Sequence, residues 1–329
     1  MKNITVIGFG GWGIVLACLL AKNGHNVVLW RDNPALAEML ITYRENKDFL
    51  PGVIIPDDVK ITTSVEEASK NVEIFVFAVT SRAIAEAARV LAPFYREGQI
   101  LVNTSKGLIE DGRRICEFLE EIAPQCKVAC LSGPSHAEEV SRGMPTTVVA
   151  ASRCNAAAET VQDIFSCDSF RVYTTNDVVG CELGGVVKNV IALAAGIVDG
   201  LGFGDNTKAA LMTRGSAEIT RLGVAMGADE RTFAGLSGIG DLIVTCTSRH
   251  SRNWRAGNML AQGRPVDEVL KEVGMVVEGV NTARAARKLA AKYGVDMPIV
   301  EEINKFLFEG KKPADVVIDL MMRDKKDEN

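Results

Sequence analysis

The 329 residues suffice for two domains, and a composition 47% hydrophobic and 24% charged is that of an ordinary soluble globular chain. A net charge of −5 argues against nucleic acid as the main partner, because a phosphate backbone needs a basic footprint, but it leaves room for a small anionic substrate. The eight cysteines form no C-x-x-C pair and have no histidine cluster to complete a zinc site, so reduced core thiols in a cytoplasmic protein without a metal are expected.

The chain opens on Lys2-Asn3 and a short apolar run at 4–7, with no leader pattern before it. Gly8-Phe9-Gly10-Gly11-Trp12-Gly13 follows, and then a helical pattern in Val15, Leu16, Leu19 and Leu20. In a strand–turn–helix setting Gly8 permits the tight turn, Gly10 lets a pyrophosphate approach the backbone, and Gly13 lets helix pack on strand. The helix N-terminus then offers N–H groups to the anion. A second strand at 26–30 ends on Arg31-Asp32. Asp32 suits the ribose 2′-hydroxyl of NAD(H), whereas Arg31 suits the 2′-phosphate of NADP(H), and the residues leave both cofactors open.

Strand signals recur at 59–62, 73–79, 99–103, 127–131 and 170–174, with helical segments between most of them. That alternation predicts a parallel, Rossmann-type doubly wound sheet, whose ligands sit at the carboxyl ends of the strands. The loops expected there read Thr80-Ser81-Arg82, Thr104-Ser105-Lys106-Gly107 and Ser132-Gly133-Pro134-Ser135-His136-Ala137. Lys106 stands just past an apolar strand end, and Ser132 to Ser135 offer N–H and hydroxyl groups or, more plainly, a serine-capped turn.

From 178 onward helical periodicity takes over, giving an α/β fold: a dinucleotide-binding domain over 1–177, then an all-α C-terminal domain over 178–329. The apolar run at 178–198 matches a membrane span in length, but Glu182, Lys188 and four glycines favour a buried helix. An unpaired buried ammonium costs several kcal/mol, so Lys188 has a partner or a task, or it snorkels to water. Leu211, Gly215, Ile219, Leu222 and Met226 form a helical stripe, and Pro313 suits the first turn of a closing helix ahead of a charged tail at 323–329. Gly235-Leu236-Ser237-Gly238-Ile239-Gly240-Asp241 implies close packing around a held carboxylate. Ser251-Arg252-Asn253 offers a hydroxyl, a guanidinium fork suited to phosphate and an amide, or else a helix cap.

With these pieces in order, the chain resembles the NAD(P)-dependent glycerol-3-phosphate dehydrogenase family, bacterial type, over essentially its full length. The motifs are VIGFGGWG at 6–13, NTSKGL at 103–108, SGPSHAEE at 132–139, LGGVVKNVIALAAGIVDGLGFGDNTKAAL at 183–211, GLSGIGDLIVTCTSRHSRN at 235–253 and VVEG at 276–279. The resemblance implies reversible hydride transfer between NAD(P)H and dihydroxyacetone phosphate, giving sn-glycerol 3-phosphate for glycerophospholipid synthesis in a cytoplasmic homodimer. It makes Lys188 the acid/base, with Lys106 and Asp241 beside it in catalysis. Lys106, Gly133, Ser135, Asp241, Ser251, Arg252 and Asn253 would contact substrate. Gly11, Trp12, Lys106, Ala137, Arg252, Val276 and Glu278 would join the glycine loop, Arg31 and Asp32 around the cofactor.

Two positions depart from the family pattern. Gly11 stands where serine is common, and Asp32 stands where arginine or histidine is frequent, which weakens an NADP assignment. Reduction at C2 needs a proton on the developing alkoxide, and a poised lysine can supply it. Only His25, His136 and His250 could serve a histidine mechanism. A carboxylate-using β-hydroxyacid dehydrogenase or ketopantoate reductase, and a non-catalytic dinucleotide sensor, are the alternatives.

Overall fold

The computed structural model describes every residue except Met275, Lys326, Glu328 and Asn329, so the charged tail at 323–329 lies partly outside the described residues. The chain divides into two units, Met1–Glu182 and Leu183–Asn329.

In the first unit the apolar runs become strands β1 (Asn3–Ile7), β2 (Asn26–Trp30), β3 (Lys60–Thr62), β4 (Ile74–Phe77), β5 (Ile100–Asn103), β6 (Lys127–Ser132), β7 (Thr146–Ala151) and β8 (Phe170–Thr175). They form one eight-stranded sheet in the order β3-β2-β1-β4-β5-β6-β7-β8. Alternate side chains of a strand face opposite sides of a sheet. Ile4, Val6 and Val76 therefore pack with Ile14, Leu16 and Leu20 of the helix Gly11–Lys22, while Ile7, Phe75 and Phe77 pack with Ile84, Ala88 and Leu91 of the helix Ser81–Leu91. Cover on both faces explains why a strand such as β4 reads as an unbroken apolar IFVF.

The order reverses at β1, which pairs β2 on one side and β4 on the other, so Ile7 lies opposite both Trp30 and Phe77. A doubly wound sheet binds its ligand at that switch point, beyond the carboxyl ends. One element departs from the sequence reading. β7 was not anticipated, and it runs antiparallel to β6, with β8 parallel to β7. The sheet is therefore mostly, not wholly, parallel. The reason is the short Ala137–Val140 helix and turn between β6 and β7, which return the chain beside β6 without a full crossover.

The helix Val178–Gly200 begins where the boundary was expected, but the division falls inside it, after Glu182. Glu182 belongs with the first unit because its carboxylate bonds Arg114 Nη1 at 2.7 Å and the Cys116 N–H at 2.9 Å. Burial pushes its carboxyl above the usual range, and Arg114 pulls it back. The helix is long and apolar enough to cross a membrane, yet its apolar window is wholly buried inside the protein.

The described residues of the second unit contain helices and no strand. In the helix Asp205–Ala225 the buried residues are Gly215, Glu218, Ile219, Leu222 and Gly223, so the middle of the expected stripe is buried while Leu211 and Met226 at its ends are half-buried. Pro313 opens the last helix, Pro313–Met321. A Cβ on Gly196 would run into the Trp254 carbonyl, and one on Gly257 into that of Leu193. The helices Val178–Gly200 and Arg252–Ala261 thus pack backbone against backbone, and a methyl group at either glycine would push them apart, at about 1–3 kcal/mol. Glu218 is buried with its oxygens on the N–H groups of Ile299 at 2.7 Å and Val300 at 3.3 Å, at the start of the helix Pro298–Phe308. Burial outweighs those bonds and pushes its carboxyl up to about 7.

Candidate functional site

The glycine loop after β1 has the three features its spacing predicts. Gly8 sits at φ +131°, where a side chain is strained, and a Cβ there would lie 2.5 Å from the Ala78 carbonyl oxygen. A Cβ on Gly10 would meet nothing within 4 Å, so the space above it is open. A Cβ on Gly13 would collide with the Gly8 carbonyl, which is how the helix packs tightly on the strand end. Gly10 is the N-cap of the helix Gly11–Lys22 and supplies no side-chain cap, leaving first-turn N–H groups to face an anion. Open space at Gly10 beside the positive end of a helix fits a dinucleotide pyrophosphate. Gly11 is buried, and a Cβ there would stand 3.1 Å from the Phe49 carbonyl oxygen, so a serine at this position would press on that loop. Trp12 and Ala137 pack against the same core cluster.

At the end of β2, Asp32 is exposed, and Arg31 reaches Glu86 at 3.9 Å. In the same unit, Lys106 Nζ donates to the Gly133 carbonyl oxygen at 2.8 Å, and Ser135 Oγ donates to that oxygen at 2.9 Å. Gly133 is held at φ +146°, where a Cβ would lie 2.9 Å from Val148 Cα. The unanticipated β7 therefore explains why a glycine stands there. His136 is the N-cap of the short helix Ala137–Val140.

In the second unit, Lys188 is buried and does not snorkel. Its Nζ donates to Asp241 Oδ1 at 2.5 Å and to Thr245 Oγ1 at 2.6 Å, and Thr245 Oγ1 donates to the Asp241 carbonyl at 2.5 Å. Side chains of Lys188 and Asp241 are 5% and 1% exposed, so this ion pair is barely screened by water. Asp241 and Thr245, four residues apart on the helix Asp241–Thr247, share one face. A tight turn at Leu236–Gly240 leads into that helix, with Gly238 against the Phe233 carbonyl and Ser237 against Gly184. Each glycine excludes a side chain that would push the Asp241 helix away. Cys246, also buried, has its thiol pushed up to about 12 by burial.

The S-R-N segment divides its labour. Ser251 is the N-cap of the helix Arg252–Ala261, accepting the Trp254 N–H at 3.2 Å, so its hydroxyl is turned to its own helix. Arg252 Nη1 donates to the Val276 carbonyl at 3.0 Å. Asn253 bridges: its Nδ2 donates to Asn189 Oδ1 at 2.9 Å, and its Oδ1 accepts the Gly279 N–H at 2.8 Å. Glu278 begins the helix Glu278–Tyr293 beside that contact. The structure thus joins Lys188 to Asp241, Arg252 to Val276, and Asn253 to the start of the Glu278 helix. Sequence reasoning missed Thr245 and Asn189. Thr245 lies one helical turn after Asp241, and Asn189 is an amide beside Lys188 in an apolar helix, so both carried a signal. Among the described residues, no three His, Cys, Asp or Glu side chains form a group able to hold a metal ion.

Comparison with known proteins bears on this geometry. Residues 3–158 match the family model described as NAD-dependent glycerol-3-phosphate dehydrogenase N-terminus, and residues 177–318 match its C-terminus counterpart. The glycerol-3-phosphate dehydrogenase [NAD(P)+] of Fusobacterium nucleatum is 53% identical over 99% of this chain and 98% of its own. The Bacillus subtilis protein of the same name is 50% identical over 100% of this chain and 96% of its own. Among solved structures, glycerol-3-phosphate dehydrogenase from Coxiella burnetii superposes with a TM-score of 0.95 at 33% identity, covering 98% of this chain and 99% of that one.

Proposed function

The chain belongs to the NAD-dependent glycerol-3-phosphate dehydrogenase family, and we propose that it interconverts dihydroxyacetone phosphate and sn-glycerol 3-phosphate with Lys188 as the proton carrier. The observation that carries this reading is a buried lysine whose ammonium is fixed between Asp241 and Thr245. A nicotinamide cofactor, NAD(H) or NADP(H), would supply or accept the hydride when bound. The residues around the Gly8–Gly13 loop would hold its pyrophosphate, with Arg31 and Asp32 at the ribose end.

As the C2 carbonyl is reduced, its oxygen gains negative charge. The Lys188 ammonium stabilises that charge and delivers a proton to it. Asp241 fixes the direction of the ammonium, and Thr245 fixes a second N–H. Lys106 and Arg252 are the cations for the substrate phosphate, Arg252 as a fork and Lys106 as a point charge. Asn253 and Ser251 act by shaping the segment that carries Arg252, in keeping with their bonds to Asn189, Gly279 and Trp254.

We place the activity in the cytoplasm, upstream of glycerophospholipid synthesis, and assign a homodimer. None of the eight cysteines is in a disulfide, which supports a reducing compartment. The first experiment is dihydroxyacetone phosphate reduction with NADH and then NADPH. Turnover with either cofactor is expected, and none with carboxylate substrates such as ketopantoate. Oxidation of neither cofactor would refute the assignment.

A further inference from the structure

Glu182 is a buried carboxylate that the proposed reaction does not use. It stands in the first turns of the helix Val178–Gly200, with its side chain 2% exposed. Oε2 accepts from Arg114 Nη1 at 2.7 Å, and Oε1 accepts from the Cys116 N–H at 2.9 Å and from Asn103 Nδ2 at 3.4 Å. Asn103 and Arg114 bracket the loop that carries Lys106. Asn103 is the last residue of β5, and Arg114 is the N-cap of the helix Ile115–Ile122. Leu108 bridges Arg114 across the loop.

Inside that bracket the backbone is tied at each step. Asn103 Oδ1 accepts the Ser105 N–H at 2.9 Å, Thr104 Oγ1 donates to the Phe77 carbonyl at 2.8 Å, and Ser105 Oγ donates to the Val79 carbonyl at 2.5 Å. Lys106 follows and reaches Gly133. An ionised carboxylate is an acceptor on both oxygens, and here both face donors. A glutamine of the same shape would point an NH2 group at the Arg114 guanidinium or at the Cys116 N–H. The loop's two ends would then lose their common anchor.

We propose that Glu182 is a positioning residue for Lys106, clamping both ends of the loop at 103–114 and so fixing where the Lys106 ammonium is presented. The inference rests on the reading of Lys106 as a substrate-contacting residue. Its test is a double-mutant cycle in the full-length enzyme, using Glu182→Gln, Lys106→Ala and the two combined. The readouts are KM for dihydroxyacetone phosphate, kcat, NADH affinity by fluorescence, and Tm.

Glu182→Gln is expected to raise KM about tenfold with NADH affinity within about twofold of wild type, and to add less than about twofold in the Lys106→Ala background. Effects that multiply in the double variant, or a lower Tm with KM unchanged, would overturn the proposal while leaving Lys106 in its role. Wild-type kinetics in Lys106→Ala would remove that role and the proposal with it. Should Glu182→Gln fail to fold, Asn103→Ala releases the loop arm of the clamp, together with the bonds Asn103 makes to Ser105. It is expected to raise KM by the same non-additive path, and an unchanged KM would count against the clamp.

Discussion

The glycine loop and the Lys188 centre solve opposite problems by opposite means. On the proposed reading the loop makes a place for an anion by removing side chains: with a strained Gly8, an open Gly10 and a close-packed Gly13, backbone N–H groups would do the binding. The lysine centre, the proposed proton carrier, buries two opposite charges in contact, from segments 53 residues apart. A backbone device depends on local spacing. A side-chain device depends on tertiary packing, and each partner needs the other.

That contrast can be broken first at Asp241. Asp241→Asn leaves an uncompensated ammonium and is expected to destabilise the protein by about 3–5 kcal/mol, read by denaturant unfolding. Adding Lys188→Met should recover much of that stability without restoring turnover. Full stability in Asp241→Asn alone would mean that the two side chains do not depend on each other.

Glu218 sharpens the comparison, being a buried carboxylate held by backbone N–H groups. Its carboxyl titrates near 7 in the folded protein against an ordinary 4.5, so the native state keeps a proton that the unfolded chain releases. Its contribution is therefore fully present below pH 4.5 and is lost as pH rises through about 7. Glu218→Gln does not titrate, so its stability relative to wild type should climb across that window by up to about 3 kcal/mol. A difference that is flat with pH would show that the site is solvated.

The smallest effect is expected at the loop. Gly13→Ala forces the helix off the Gly8 carbonyl at about 1–3 kcal/mol, which should weaken NADH binding roughly tenfold to a hundredfold. Measured by fluorescence titration, unchanged affinity would argue that the loop does not hold the pyrophosphate.

The same contrast governs what could be read from the chain. Gly8, Gly10 and Gly13 were legible because their roles follow from spacing alone. Lys188 was legible because a cation in an apolar run demands an explanation. Thr245 and Asn189 carried a weaker signal, one turn from Asp241 and beside Lys188, and the Arg114–Glu182 pair carried none, because their partners lie far away in sequence. The β7 strand carried a β-branched signal in Thr146-Thr147-Val148-Val149, but it was overshadowed by the serine-rich loop before it. The resemblance named residues for the pocket, yet only coordinates show that Ser251 caps its own helix and Asn253 bridges Asn189 to Gly279.

The central claim is that Lys188 carries the proton, and Lys188→Met tests it at one atom. Steady-state reduction of dihydroxyacetone phosphate, with NADH affinity measured on the same preparation, is the direct experiment. A fall in kcat of about 10²–10⁴-fold with NADH affinity unchanged is the predicted result. Turnover within a few-fold of wild type would contradict it and return Lys188 to a purely structural ion pair.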